Sequence, residues 1–203
     1  MDVEIRKAKR TDEKELINIC YITGDPFLKK IFPQRYLFSL FWCSYYVRYE
    51  TENCFVAVDP ENKRVIGYIL STMDTIKQKK DLKIKLKKEI KSHIKYLLVN
   101  KIRAKIVACY ILNQRITKKR RAFLETYPAH LHIDILPEYQ RKGLGHKLMN
   151  TLEEHFKSEG INGYHLEVST KNSTGINFYE KYGLNLISRN RFNTIFAKKV
   201  DGN

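Results

Sequence analysis

The spacing of apolar positions along the chain changes several times, and each change marks an element. Val3 and Ile5 alternate with polar neighbours as a strand does. Thr11, followed by Asp12, Glu13 and Lys14, reads as an N-cap with acids in the first turn, and Leu16, Ile17, Ile19 and Cys20 then form a helical face that ends at Gly24. Beyond Pro26 and Pro33, the residues Phe38, Phe41, Trp42, Tyr45, Tyr46 and Tyr49 recur every three or four positions. They place an aromatic stripe on one side of a helix, a pattern that core packing explains better than a ligand box. Residues 54–58 and 65–70 are short β-branched runs joined by Asp59-Pro60-Glu61-Asn62, a hairpin signal. From 74 to 121 the spacing is helical again through Leu82, Leu86, Ile90, Ile94, Leu97, Ile102, Ile106 and Cys109, which predicts one long or two consecutive amphipathic helices with lysines on the wet side. Residues 130–136 alternate as a strand and stop at Pro137, a helix follows over 144–158, and a strand is expected over 164–168. A second helix spans 172–182 and ends at Gly183, with final strands around 184–188 and 194–198.

Composition narrows the class. A chain of 203 residues with 43% apolar content can bury a real core as one domain, or as one domain carrying a large insertion. No run of eighteen apolar residues exists and the N-terminus lacks a signal-peptide order, so the expected address is the cytoplasm, with no membrane partner. Cys20, Cys43, Cys54 and Cys109 have no CxxC spacing, which fits reduced, buried thiols and argues against a zinc site or a disulfide framework. The net charge of +16 is concentrated: residues 73–126 hold 17 Lys or Arg against 4 Asp or Glu, so this stretch alone carries +13. Such a basic stretch is either a solvated face or an attractor of anions. Nucleic acid is the weaker of its possible partners, because the stretch offers few aromatics for base stacking.

The chemistry concentrates in one short segment, strand, then Glu138-Tyr139-Gln140-Arg141-Lys142-Gly143-Leu144-Gly145, then helix. A glycine-rich turn at a helix start leaves backbone N–H groups unpaired and converging where the helix dipole favours negative charge, a spot suited to a pyrophosphate. Gly143 and Gly145 lack a Cβ that would hold a phosphate away, and Arg141, Lys142 and Lys147 add positive charge. The segment is not a Walker loop, and the dinucleotide fingerprint fails at Leu148, where a third glycine would stand.

Gln140-Arg141-Lys142-Gly143-Leu144-Gly145 resembles the Q/R-x-x-G-x-G/A signature of the GNAT superfamily of N-acetyltransferases. A second match follows about thirty residues later: Asn172, Phe178-Tyr179 and Gly183-Leu184 are similar to that family's N-x-x-A-x-x-F-Y-x-x-x-G-F block, with Gly175 for the usual alanine and Leu184 for the usual phenylalanine. Residues 127–134 look like the subgroup of bacterial acetyltransferases similar to the acetyltransferase-like domain of O-GlcNAcases. The likeness covers about 127 to 187, upstream it is only topological, and the basic insertion at 73–126 lies outside the common core.

The resemblance implies an α/β (α+β) fold: a mixed central sheet of about seven strands with helices on both faces, a cofactor cleft where two parallel strands diverge, and the helical insertion beside the acceptor entrance. It implies acetyl-CoA as cosubstrate and a small-molecule or peptide amine as acceptor, with direct transfer in a ternary complex and no metal. On the matching positions, the main chain of Ile133 and Ile135 would pair with the pantetheine arm. The backbone amides of Arg141, Lys142, Gly143, Leu144, Gly145 and His146 would hold the pyrophosphate, and Gln140 and Phe178 would belong to the cofactor site. Asn172 would bond the cofactor arm, cap its helix, or do both. Tyr179 matches the family's acid for the departing thiolate, with an aromatic packed beneath the cofactor as the other reading. Asp134 and His132 share one strand face and are candidate bases, Asp134 preferred; Glu167 on the next strand is a third. An acetyltransferase-like module that binds without turnover is the rival reading.

Overall fold

The computed structural model describes residues 3–85, 87–93, 96, 99, 101–102, 104–105 and 118–200. Strand β1 (Glu4–Lys7) leads through a single 3-10 turn into helices α1 (Glu13–Thr23), α2 (Pro26–Ile31), α3 (Arg35–Trp42) and α4 (Ser44–Tyr49). The hairpin of β2 (Phe55–Val58) and β3 (Val65–Thr72) follows, then helices α5 (Thr75–Lys85), α6 (Lys87–Ser92) and α7 (Lys118–Thr126). Strand β4 (Ala129–Ile135), helix α8 (Leu144–Ser158), strand β5 (Gly163–Ser169), helix α9 (Ser173–Tyr182) and strands β6 (Asn185–Arg189) and β7 (Asn193–Lys199) complete the chain.

The strands form one seven-stranded sheet in the order β1-β2-β3-β4-β5-β7-β6. Every neighbouring pair is antiparallel except β4 and β5. Two apolar layers clothe it. Leu16, Ile19, Phe32, Leu37, Phe38, Tyr45 and Tyr46 of α1–α4 pack on one face with Tyr68 and Leu70. Leu144, Leu148, Leu152, Phe156, Ile176 and Tyr179 of α8 and α9 pack on the other with Leu131, Leu166 and Phe196. The period-2 alternation of β4 therefore divides its side chains between the layers, with Leu131 and Ile133 toward α8 and His132 and Asp134 toward α1.

Local chemistry departs from the sequence expectation in three places. Asp12, and not Thr11, holds the N-cap position of α1, and its side chain turns back to the preceding 3-10 turn, where it accepts the Lys9 N–H at 2.8 Å and pairs with Arg6 through two 2.8 Å hydrogen bonds. The aromatic stripe runs over two helices, because Cys43 leaves helical geometry at φ −129° and breaks α3 from α4. In the basic insertion α5 turns Thr75, Gln78, Lys79 and Leu82 inward, while Ile102, read as part of the apolar stripe, is 54% exposed. Leu86, Ile94, Leu97, Ile106 and Cys109 lie outside the described residues, as does the side chain of Ile90. The insertion joins the sheet at a closed neck: Thr75 sends both its N–H (2.9 Å) and its hydroxyl (2.7 Å) to the Pro128 carbonyl.

Candidate functional site

The parallel seam between β4 and β5 is short. Ala129 faces Tyr164 and His130 faces His165; past these two pairs the strands part, while β5 stays paired to β7 as far as Ser169. On its other edge β4 remains paired to β3 up to Ile135, and the Leu136 N–H continues that ladder to the Ile66 carbonyl at 2.9 Å. Main-chain groups alternate along a strand, so those of Ile133 and Ile135 point into the gap on the β5 side. The Gln140 side chain reaches back and donates to the Ile135 carbonyl at 2.8 Å. That carbonyl is thereby occupied, and Ile133 presents both its groups to the gap.

The turn that follows β4 carries the second feature. Arg141 (φ 60°) and Gly143 (φ 77°) both take the left-handed conformation, which curls the main chain so that successive N–H groups face one side. The first backbone bond of α8 runs from the Lys147 N–H to the Gly143 carbonyl. The six N–H groups from Arg141 to His146 accordingly have no acceptor among the described residues. At Gly143 a Cβ would meet nothing within 4 Å, so the positive φ is what asks for glycine there. At Gly145 packing gives a reason beside the sequence expectation of close phosphate approach. A Cβ would lie 3.0 Å from the Phe178 ring, so the missing side chain lets α9 close on α8. Phe178 also meets His146 edge-on at 5.2 Å, and Leu144 is buried beneath the helix start. Lys142 extends over the Tyr139 ring at 5.5 Å, and the Tyr139 hydroxyl donates to Asp59 at 2.9 Å, tying the turn to the β2–β3 hairpin.

Asn172 caps α9: its Oδ1 accepts the Gly175 N–H at 2.9 Å. A Cβ at residue 175 would lie 2.8 to 3.2 Å from the Asn172 side-chain atoms. The departure from alanine noted in the sequence thus matches a cap that sits against the helix. Tyr179, on the inner side of α9, is buried between Phe178 (5.3 Å) and Phe196 (5.8 Å). Burial, with a smaller push from the Asp134 charge, raises its phenol above the ordinary range, and no hydrogen bond holds the hydroxyl among the described residues.

On the opposite face of the gap, Asp134 accepts a 2.5 Å hydrogen bond from the Tyr68 hydroxyl. Burial lifts the Asp134 carboxyl to about 6, held back by the hydroxyls of Tyr68 and Thr23. His132, beside it, is pushed down to about 4 by burial and is neutral at physiological pH. Glu167 is held by Arg120 of α7 at 3.0 Å and faces Asn193 at 3.5 Å, so the third candidate base sits in an ion pair. Sequence reading had no signal for the imidazole row that closes the seam. His130 contacts His132 edge-on at 4.8 Å and His165 at 5.0 Å. His130 Nδ1 shares a hydrogen bond with the Tyr46 hydroxyl, whose oxygen accepts from Gln78, both at 3.0 Å, and His165 Nδ1 donates to the Tyr127 carbonyl at 2.9 Å. Partners on α4, α5 and the 127–128 link are remote in sequence, which hides the row from spacing arguments. Cys20, Cys43 and Cys54 are buried and free, and no group of three or more metal-ligating side chains converges among the described residues.

The sheet split and the open run of amides at the start of α8 lie side by side and form one candidate cleft. The model of the acetyltransferase (GNAT) family matches residues 18–184, and the chain belongs to that family. Among solved structures, SsHAT superposes with a TM-score of 0.80 at 24% identity, over 99% of this chain and 100% of that one. The PaiA N-acetyltransferase of Thermoplasma acidophilum, in complex with coenzyme A, gives 0.56 at 18% identity over 98% and 99%. The phosphinothricin acetyltransferase of Sinorhizobium meliloti, in complex with AcCoA, gives 0.58 at 15% identity over 98% and 89%. These likenesses establish the shared fold. No helix among the described residues is long and apolar enough to cross a membrane.

Proposed function

We propose that the chain is one acetyltransferase domain, with 73–126 inserted in it, that transfers the acetyl group of acetyl-CoA to an amine in a ternary complex. The observation that carries this reading is the run of six unpaired N–H groups from Arg141 to His146 at the start of α8, beside the open edge of β4. A pyrophosphate would satisfy those donors and the helix dipole together, and a peptide-like arm would pair with Ile133 along the gap. Acetyl-CoA would supply the activated thioester. The family membership and the coenzyme complexes of its structural relatives support the same choice.

The residues around the gap then divide the proton work. Asp134, ionised above about pH 6, takes the proton from the amine nitrogen as that nitrogen bonds to the acetyl carbon; His132, neutral above about pH 4, stands next to it as an alternative acceptor. The C–S bond breaks, and Tyr179 gives its phenolic proton to the departing sulfur. Its raised pKa keeps it protonated until that moment. Asn172 and Phe178 shape the wall from α9. Calorimetry with acetyl-CoA and a thiol-release assay against a panel of amino acids, polyamines and peptide N-termini test the reading. Binding with turnover of at least one amine is expected, and Tyr179→Phe should lower kcat by about a hundredfold while leaving acetyl-CoA affinity unchanged. Tight binding without release on any amine would point to the binding-module reading, and absence of binding would overturn both.

A further inference from the structure

Resting on the reading of Asp134 as the base, we infer that Tyr68 is its positioning residue, a phenol built into the neighbouring strand to fix which carboxylate oxygen meets the amine. Tyr68 stands directly opposite Asp134 in the β3–β4 register, so its place is set by the sheet and no loop is involved. It is fully buried, and its hydroxyl donates to Oδ2 at 2.5 Å, shorter than the usual hydroxyl–oxygen contact. With Oδ2 held by the phenol, Oδ1 is the oxygen that this reading assigns to the incoming nitrogen.

The other groups that face this carboxyl cannot substitute for Tyr68. On α1, the Thr23 hydroxyl lies beside it but already donates to the Ile19 carbonyl at 2.9 Å. Cys43, between α3 and α4, is a buried thiol that feels the Asp134 charge, and Cys20 on α1 is buried against it; neither supplies positive charge. His132 on β4 is neutral, and Tyr179 from α9 senses Asp134 only through its field. Among the described residues no cation is a cause of the Asp134 shift, so the phenol is the principal group that keeps a desolvated carboxylate ionisable near neutral pH. Burial and the Asp134 charge push the Tyr68 phenol itself upward, which keeps it a donor throughout the working range.

The test is a 13C NMR titration of aspartate-labelled protein, with the Asp134 carboxyl assigned through Asp134→Asn. Loss of a hydrogen bond to a charged group is expected to raise the Asp134 midpoint in Tyr68→Phe by about one unit or more. Thr23→Val should raise it less. Tyr45→Phe, which removes a buried hydroxyl that serves Glu50, should leave it in place. An unmoved midpoint in Tyr68→Phe overturns the inference. Should that variant fail to fold, Thr23→Val decides: a midpoint raised there by about one unit or more would give the role to Thr23 and overturn the inference, and a smaller shift supports it. The acid limb of kcat/KM for the best amine of the panel should follow the NMR midpoint. Undiminished transfer by Asp134→Asn would sink the base assignment while leaving the NMR shift intact, so the two failures are distinguishable.

Discussion

Mild acid should destabilise this protein, and replacing His165 should blunt the effect. His165 is 2% exposed, and burial is the largest cause of its pKa falling from 6.5 to about 4. The unfolded chain therefore binds a proton that the native state refuses between those values, and stability falls as pH drops through that window. A difference of 2.5 units at about 1.4 kcal/mol each makes the loss roughly 3 kcal/mol once pH is below 4. His132, also at about 4, acts in the same direction with a similar size, and His130, held well below its usual value by burial, adds to it. Asp134 opposes them. Its pKa is raised from 3.8 to about 6, so the native state binds the extra proton, and acidification from 6 to 4 relieves roughly 3 kcal/mol. Two or three histidines against one aspartate leave a net loss of at least roughly 3 kcal/mol between pH 6.5 and 4, a large share of the stability of a typical domain. Urea unfolding followed by circular dichroism at pH 7, 6, 5 and 4.5 measures it. In His165→Asn, whose amide can keep the bond to the Tyr127 carbonyl, stability at pH 7 is lower because the ring contacts with Phe123 and His130 are lost. Its further decline toward pH 4.5 is shallower than in the wild type. Parallel pH curves for the two proteins would refute the reasoning.

Other substitutions probe the two helix starts. Gly143→Ala places a side chain at φ 77°, which costs about 1 kcal/mol of backbone strain. As the turn relaxes the amides lose their convergence, so acetyl-CoA affinity by calorimetry should fall about tenfold or more; unchanged affinity would remove the turn from the binding reading. Gly175→Ala drives a methyl to within 2.8 to 3.2 Å of the Asn172 side chain, displaces the cap and should cost about 1 kcal/mol in thermal unfolding. An unshifted or raised Tm would show that the cap yields without loss.

How much of this was legible in advance depends on how local the determining physics is. Helix α8 and the turn before it are written in neighbouring residues: Pro137 ends the strand, Gly143 supplies the positive φ, and Leu144, Leu148, Leu152 and Phe156 repeat at helical spacing, so element and site could be read together. The break at Cys43 could not, because nothing in the aromatic stripe forbids a continuous helix; the two segments differ in what they pack on, α3 against α1 and α4 also against β3. Strand alternation set Asp134 and His132 on one face of β4, and the family resemblance marked Ile133, which the structure sets on the open edge of that strand. A packing reason for Gly145 was not legible, because the ring against it belongs to Phe178, on the other side of β5 in sequence. Tyr68 and the Tyr46–His130 pair escaped because their partners lie 66 and 84 residues away, and only the sheet brings them into contact.

The short seam at Ala129 and His130 has a mechanical meaning. Two half-sheets, four strands and three, share a zip fastened at two rungs and left open above them. Whatever lies in the opening supplies the missing rungs, so occupancy and stiffness must rise together, and the empty protein is the softer object. Heat resistance should therefore report how well the opening is filled, even for a molecule that undergoes no reaction there.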